Sequence, residues 1–137
     1  MTKLTKAQLA LRTKWTTALR SGEYRQTHEG FLKDSQGYCC MGVLCDVSDN
    51  TGWAYHPFAG VVRFNGCDDY PPEHILKEVG IDEGTTVMWT GSDGSLPPFP
   101  KPLRQVLAHM NDNEGADFAT IADTIDLDTL MRQDGCL

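Results

Sequence analysis

The densest run of apolar positions in the chain covers Tyr38–Asp46 and carries no charge before its last residue. In a helix, one apolar face of this region would carry the residues spaced three and four apart, namely Cys40, Val43, Leu44 and Val47. The remaining positions are also apolar or small, which is typical of a helix buried on every side. Gly42 costs about 1 kcal/mol of helix propensity relative to alanine, so we expect it to allow another backbone to approach closely. The pattern therefore predicts a central core helix.

Four further segments repeat apolar residues at helical spacing. The first covers Thr5–Arg20, where Thr5 and Gln8 match a capping box and Gly22 suits the C-terminal end. The other three are Pro71–Val79, Pro102–Met110 and the segment that follows a capping Asp117. We expect these helices to pack around the central one.

The strand signals are shorter and fewer than the helix signals. We predict short strands within Glu23–Lys33, Val61–Phe64 and Thr86–Trp89. Residues 82–100 are rich in glycine, proline, serine and threonine, which indicates a long loop, and residues 126–137 are interpreted as an acidic tail that frays. Within the loop we expect Trp89 to dock on the domain, residues 91–95 to stay exposed and mobile, and any pocket beneath to reach Cys39. The prediction is one compact α+β domain over residues 1–137, with four to five helices around the central helix.

Charge and composition exclude several classes of function. The 137 residues carry a net charge of −7, with 40% apolar residues, so we expect a globular protein that binds no nucleic acid specifically. Phe118–Arg132 does resemble the start of a helix-turn-helix, but Arg132 is its one basic residue, which favours an ordinary packing helix. No apolar run reaches the length of a membrane span, and the first residues lack the apolar core of a secretory signal. We therefore expect a cytoplasmic protein with free thiols.

The cysteines raise the alternative of an enzyme. Cys39 or Cys40 would open the central helix, where the helix dipole lowers a thiol pKa, and papain-like hydrolases are similar in outline. His28 or His56 would then be the partner base. The competing interpretation is that these thiols fill the core. A structural zinc site usually combines two pairs of ligands. The spacing of Cys40 and Cys45 fits one pair, but the sequence offers no second pair, so we predict neither a metal nor a cofactor.

Aromatic and amide side chains outside the predicted core are candidates for ligand contact. The candidate ligand-binding residues are Tyr24, Gln26, Trp53, Tyr55, Trp89, Asn111 and Asp112. The alternatives are that the aromatic rings fill a core under loops and that the amides cap helix ends or tie a strand to the central helix.

Three blocks of the sequence together resemble a group of small proteins of tailed phages and prophages. The blocks run from Trp15 through Ala18-Leu19-Arg20-Ser21-Gly22 to Gln26, over Tyr38-Cys-Cys-Met-Gly-Val-Leu-Cys-Asp46, and from Leu107 through Asn111-Asp112 to Ile125. The resemblance implies an accessory protein made in the cytoplasm of a bacterial host, with no activity to transfer. By analogy, we predict a non-enzymatic protein that binds and blocks a host protein or sequesters a small defence-signalling ligand, and self-association stays open.

Overall fold

The computed structural model describes residues 3–56, 60–82 and 84–134, without the side chain of His56. The helices and strands are, in chain order, α1 Lys6–Arg20, β1 Lys33–Asp34, β2 Gly37–Tyr38, α2 Cys40–Ser48, β3 Trp53–His56, β4 Val61–Phe64, α3 Glu73–Glu78, β5 Thr86–Trp89, β6 Phe99–Pro102, α4 Leu103–Asp112 and α5 Phe118–Asp134. This is a single compact α+β domain, as the sequence predicted.

Helix α1 begins with the predicted capping box. The Thr5 hydroxyl accepts a hydrogen bond from the backbone N–H of Gln8 at 3.1 Å, and the Gln8 side chain accepts one from the backbone N–H of Thr5 at 2.9 Å. The helix packs mainly against α5 and α2, with Trp15 and Leu19 fully buried. The indole N–H of Trp15 donates to the carbonyl of Cys40 at 2.9 Å, which joins α1 to the start of α2.

Helix α2 is the buried central helix. Residues 40–45 are all buried, and Cys39 serves as the N-cap by accepting the backbone N–H of Gly42 on its sulfur at 3.4 Å. A Cβ atom at Gly42 would overlap the backbone carbonyl of Leu32, which crosses directly over the helix. The prediction that Gly42 admits another backbone is therefore confirmed.

Two antiparallel sheets flank the helices. The larger has the strand order β2-β1-β4-β3, and its longest pairing aligns Trp53 of β3 with Phe64 of β4. The smaller is a hairpin of β5 and β6, in which Thr86 pairs with Pro102 and Trp89 with Phe99. The predicted strand Thr86–Trp89 is thus confirmed, and the long loop predicted over residues 82–100 is corrected to a connection over residues 90–98.

The C-terminal third also differs from the sequence interpretation. Helix α5 is continuous from Phe118 to Asp134, so residues 126–134 form no fraying tail, and no turn separates two helices as a helix-turn-helix requires. The physical reason is burial, because Asp128 and Arg132 are both buried polar residues that pack against the body of the domain. Residues 135–137 of the predicted tail lie outside the described residues.

Candidate functional site

The amide side chains predicted near the central helix meet at Asn111, which has no exposed surface. Its oxygen Oδ1 accepts from Gln26 Nε2 at 2.9 Å and from the backbone N–H of Cys40 at 3.2 Å. Its nitrogen Nδ2 donates to the carbonyl of Thr27 at 2.8 Å and to the carboxylate of Asp112 at 2.9 Å. An amide offers two acceptor and two donor positions, so all four are occupied. Asn111 ties α4 to α2 and has no hydrogen-bonding capacity left for a ligand.

The thiols at the start of α2 lack the features of a nucleophile. Burial raises the pKa of the Cys39 thiol to about 12 and holds the pKa of Cys40 well above its ordinary value. The His28 ring nitrogen Nδ1 lies 2.5 Å from the carbonyl oxygen of Asn111, and no hydrogen bond among the described residues joins His28 to either thiol. The His56 side chain lies outside the described residues. Desolvation thus outweighs the helix dipole, and the arrangement favours structural thiols.

Two of the aromatic candidates converge on one carboxylate. The Tyr24 hydroxyl donates to Asp46 Oδ2 at 2.5 Å, and the Trp53 indole N–H donates to Asp46 Oδ1 at 3.0 Å. Partial burial, followed by the bond to Asp46, raises the pKa of Tyr24. The Lys33 ammonium group lies 5.1 Å from the centre of the Trp53 ring and 4.7 Å from that of Tyr38. The faces of the Trp53 and Tyr38 rings are therefore already in contact with a cation of the same chain.

The other two aromatic candidates stand apart from that cluster. Tyr55 on β3 is 67% exposed. Trp89 packs its ring against Phe99, with centroids 5.6 Å apart, and against His109 of α4, with centroids 5.8 Å apart. The prediction that Trp89 docks on the domain is confirmed.

Trp89 lies at an open groove of about 450 Å³ between β5, α4 and α5. The lining consists of the four residues of β5 together with Val106, Thr124, Leu127, Asp128 and Met131. Three large apolar side chains of this lining are exposed, with Met88 at 65%, Leu127 at 57% and Met131 at 39%. Cys39 does not line the groove, so the expectation that a pocket near the loop reaches the start of α2 is corrected.

A buried ion pair fixes the α5 wall of the groove. Arg12 Nη1 lies 2.8 Å from Asp128 Oδ2, and both side chains are almost fully buried. Arg12 also donates to the carbonyl oxygens of Val79 and Gly80, the residues that close α3. Because the arginine neutralises the one carboxylate among the described lining residues, the groove is effectively apolar.

A Ser–His–Glu group stands near the same hairpin. Ser92 Oγ lies 2.6 Å from His109 Nε2, and Glu114 Oε2 lies 3.4 Å from the same nitrogen. In a catalytic triad the acid orients the histidine through the nitrogen that the nucleophile does not use. Since both partners meet Nε2 here, the group does not form a triad.

The groove is not among the features predicted from the sequence. Leu127, Leu130 and Met131 are spaced three and four apart, which is the signal of an apolar stripe on a helix. This stripe lies beside the core face formed by Ile121 and Ile125, so α5 carries more apolar surface than the core can cover. Asp126 and Asp128, which flank Leu127, favour the interpretation of residues 126–137 as an acidic tail.

Comparison with known proteins identifies one family. The family described as a domain of unknown function, DUF8296, matches residues 7–129. No curated protein and no solved structure matches the chain. None of the helices in the described ranges has the length and apolar character that crossing a membrane requires. Within the same ranges, no group of three or more His, Cys, Asp or Glu side chains is placed to hold a metal ion.

Proposed function

Since the chain belongs to the DUF8296 family, whose description assigns no activity, we propose from the geometry that it is a non-enzymatic binding protein whose partner occupies the groove between β5, α4 and α5. One observation carries the proposal, namely the exposure of Met88, Leu127 and Met131 around a single groove. Clustered exposed apolar side chains mark interaction sites, because leaving them in water costs free energy that a partner recovers.

The chemistry of the lining favours a protein over a charged small ligand. None of the described residues that line the groove is a lysine or an arginine, and phosphate-bearing signals are recognised through such cations. The ammonium group of Lys101 lies beside the groove but stacks over the Trp89 ring, 3.7 Å from the ring centre. Asp128 is already paired with Arg12, and the Thr124 hydroxyl donates to the carbonyl oxygen of Thr120 at 3.3 Å, so neither is available to a charged ligand. Methionine and aromatic side chains are enriched at protein interfaces.

The resemblance of the three sequence blocks to phage proteins suggests the biological context of this binding. In that context the partner is a protein of the bacterial host, the two proteins bind in the host cytoplasm, and binding blocks the partner. The alternative of a cysteine-dependent enzyme draws no support from the buried thiols.

The test is a pull-down from bacterial lysate with three matched proteins, followed by native mass spectrometry. Leu127→Asp places a charge in the groove. Leu130→Asp places the same charge on a neighbouring residue that is also 57% exposed but does not line the groove. We expect the wild type and Leu130→Asp to retain the same partner and Leu127→Asp to lose it.

Two results would contradict the proposal. One is a partner that survives Leu127→Asp, because the contact would then lie elsewhere. The other is a bound small molecule, or a second copy of the chain, in place of a host protein in the native mass spectrum.

A further inference from the structure

We propose that the groove takes an extended peptide segment, which pairs with β5 as a third strand of the small sheet. This inference rests on the proposed function and specifies the partner's conformation. It follows from the hydrogen-bonding directions of β5, from the blocked edge of β6 and from the position of the groove.

The pairing register fixes which backbone groups of β5 point outward. In an antiparallel pair, only alternate residues exchange N–H and C=O bonds with the opposite strand. Pro102 and Pro100, which face Thr86 and Met88, have no N–H to exchange. The bonded positions are therefore Val87 and Trp89, and the bond from the N–H of Leu103 to the carbonyl of Thr85 continues the same alternation.

Thr86 and Met88 consequently direct their N–H and C=O groups away from β6. Within the described ranges the sheet has no third strand, and no hydrogen bond there connects these groups to another loop or strand. Met88 is exposed, so the edge is open to a partner. An open row of alternating donors and acceptors is the template on which an extended peptide adds.

The opposite edge of the sheet has no such row. The outward positions of β6 are Pro100 and Pro102, which cannot donate. Proline at the outer edge of a strand is a recognised block to further pairing. The hairpin therefore offers one edge only, and that edge is the one that lines the groove.

The groove lies where an added strand would run. Neighbouring strands are about 4.8 Å apart, so a segment paired to β5 lies between it and the α5 wall formed by Leu127 and Met131. Every second side chain of that segment would enter the apolar groove, and the intervening ones would face solvent. The net charge of −7 favours basic residues at the solvent-facing positions. The inferred peptide alternates apolar residues, which enter the groove, with polar or basic residues, which face solvent.

The test begins with displayed random peptides of about ten residues, the upper length of an ordinary strand. Peptides selected on the wild type and rejected by Leu127→Asp are made with single N-methyl groups at each position. If the peptide pairs as a strand, we expect methylation at alternate residues to weaken binding about tenfold, as for one lost hydrogen bond left unpaired. Methylation at the residues between them leaves binding unchanged.

Amide hydrogen exchange supplies the second readout on the protein side. We expect bound peptide to slow exchange at Thr86 and Met88, while Val87 and Trp89, already paired with β6, serve as the internal reference. A selected peptide without the alternating pattern, or with helical circular dichroism when bound, would overturn the strand inference and leave the groove proposal standing. Selection of no peptide at all, or dimers of the protein alone in sedimentation, would also overturn it. If every selected peptide still binds Leu127→Asp, the contact lies outside the groove, and that result would contradict the proposed function as well.

Discussion

A single hydrogen bond of 3.2 Å joins the backbone N–H of Cys40 to the side-chain oxygen of Asn111, 71 positions further along the chain. The first N–H groups of a helix have no partner inside the helix. Here α4 supplies that partner, and the same amide also holds Gln26 and the backbone of Thr27. The start of the buried central helix is thus fixed by a residue from another helix.

We expect Asn111→Ala to lower the free energy of unfolding by about 1–3 kcal/mol or more, because it leaves buried donors and acceptors unpaired. Urea unfolding followed by circular dichroism measures the change. Asn113→Ala is the control, since that side chain is exposed and makes no hydrogen bond among the described residues. Equal stability of the two variants would contradict the role of Asn111 as a structural tie.

We expect Gly42→Ala to destabilise the fold, because its methyl group would overlap the Leu32 carbonyl and the central helix would have to shift. Overpacking a tight core typically costs about 1–3 kcal/mol. Gly84→Ala is the matched control, since a methyl group there meets no atom within 4 Å. Calorimetry should give a lower Tm for Gly42→Ala alone, and an unchanged Tm would rule out the close approach.

We expect Arg12→Met to cost about 3–5 kcal/mol, because it leaves Asp128 buried without its ion-pair partner. Arg20→Met removes the exposed pairs with Asp123 and Asp126 and should cost less than about 1 kcal/mol. Denaturant unfolding compares the two variants. A similar cost at both sites would show that the buried pair contributes no more than a surface pair.

Alkaline pH should destabilise the protein through its buried thiols. The folded state keeps the Cys39 proton to about pH 12, whereas the unfolded chain loses it near the ordinary pKa of 9.0. The unfolded state therefore binds fewer protons above pH 9, and stability falls with rising pH by up to about 1.4 kcal/mol per pH unit for this thiol. Cys39→Ser keeps a capping oxygen for Gly42 without titrating in this range, so its stability should fall less steeply. Parallel slopes for both proteins would contradict the expected pKa.

Alkylation separates structural thiols from a nucleophile. At neutral pH we expect iodoacetamide to modify the half-buried Cys67 well before Cys39, Cys40 or Cys45, which are buried. Peptide mapping by mass spectrometry resolves the sites. Rapid modification of Cys39 or Cys40 in the folded protein would revive the hydrolase alternative.

The features predicted correctly from sequence are those with a local signal. Thr5 and Gln8 are three positions apart, and the two bonds of their capping box lie within one turn. Gly42 predicts a close approach because a glycine inside an otherwise apolar helix pattern needs a packing reason. Trp89 predicts docking because it is the largest apolar side chain in a polar segment.

The features that sequence could not supply depend on distant partners. Arg12 and Asp128 are 116 positions apart, and nothing in either segment indicates that they meet. When that pair is not known, the alternation of Asp and Leu after Asp126 suggests a solvated tail rather than the end of α5. Because α5 forms one wall of the groove, the groove is then not predicted either. The pairing of β5 with a strand that contains two prolines was equally hidden, because proline disfavours strands in general.

Pro100 and Pro102 also determine how far any edge-to-edge assembly can extend. A sheet with two open edges can stack copy upon copy, since each added molecule presents the edge that the next one needs. In this sheet the outward edge of β6 lacks a backbone N–H at both prolines. A molecule bound along β5 therefore leaves the protein without a second edge on which another strand could pair. The hairpin therefore cannot support growth into a filament, and it binds one added strand per protein molecule.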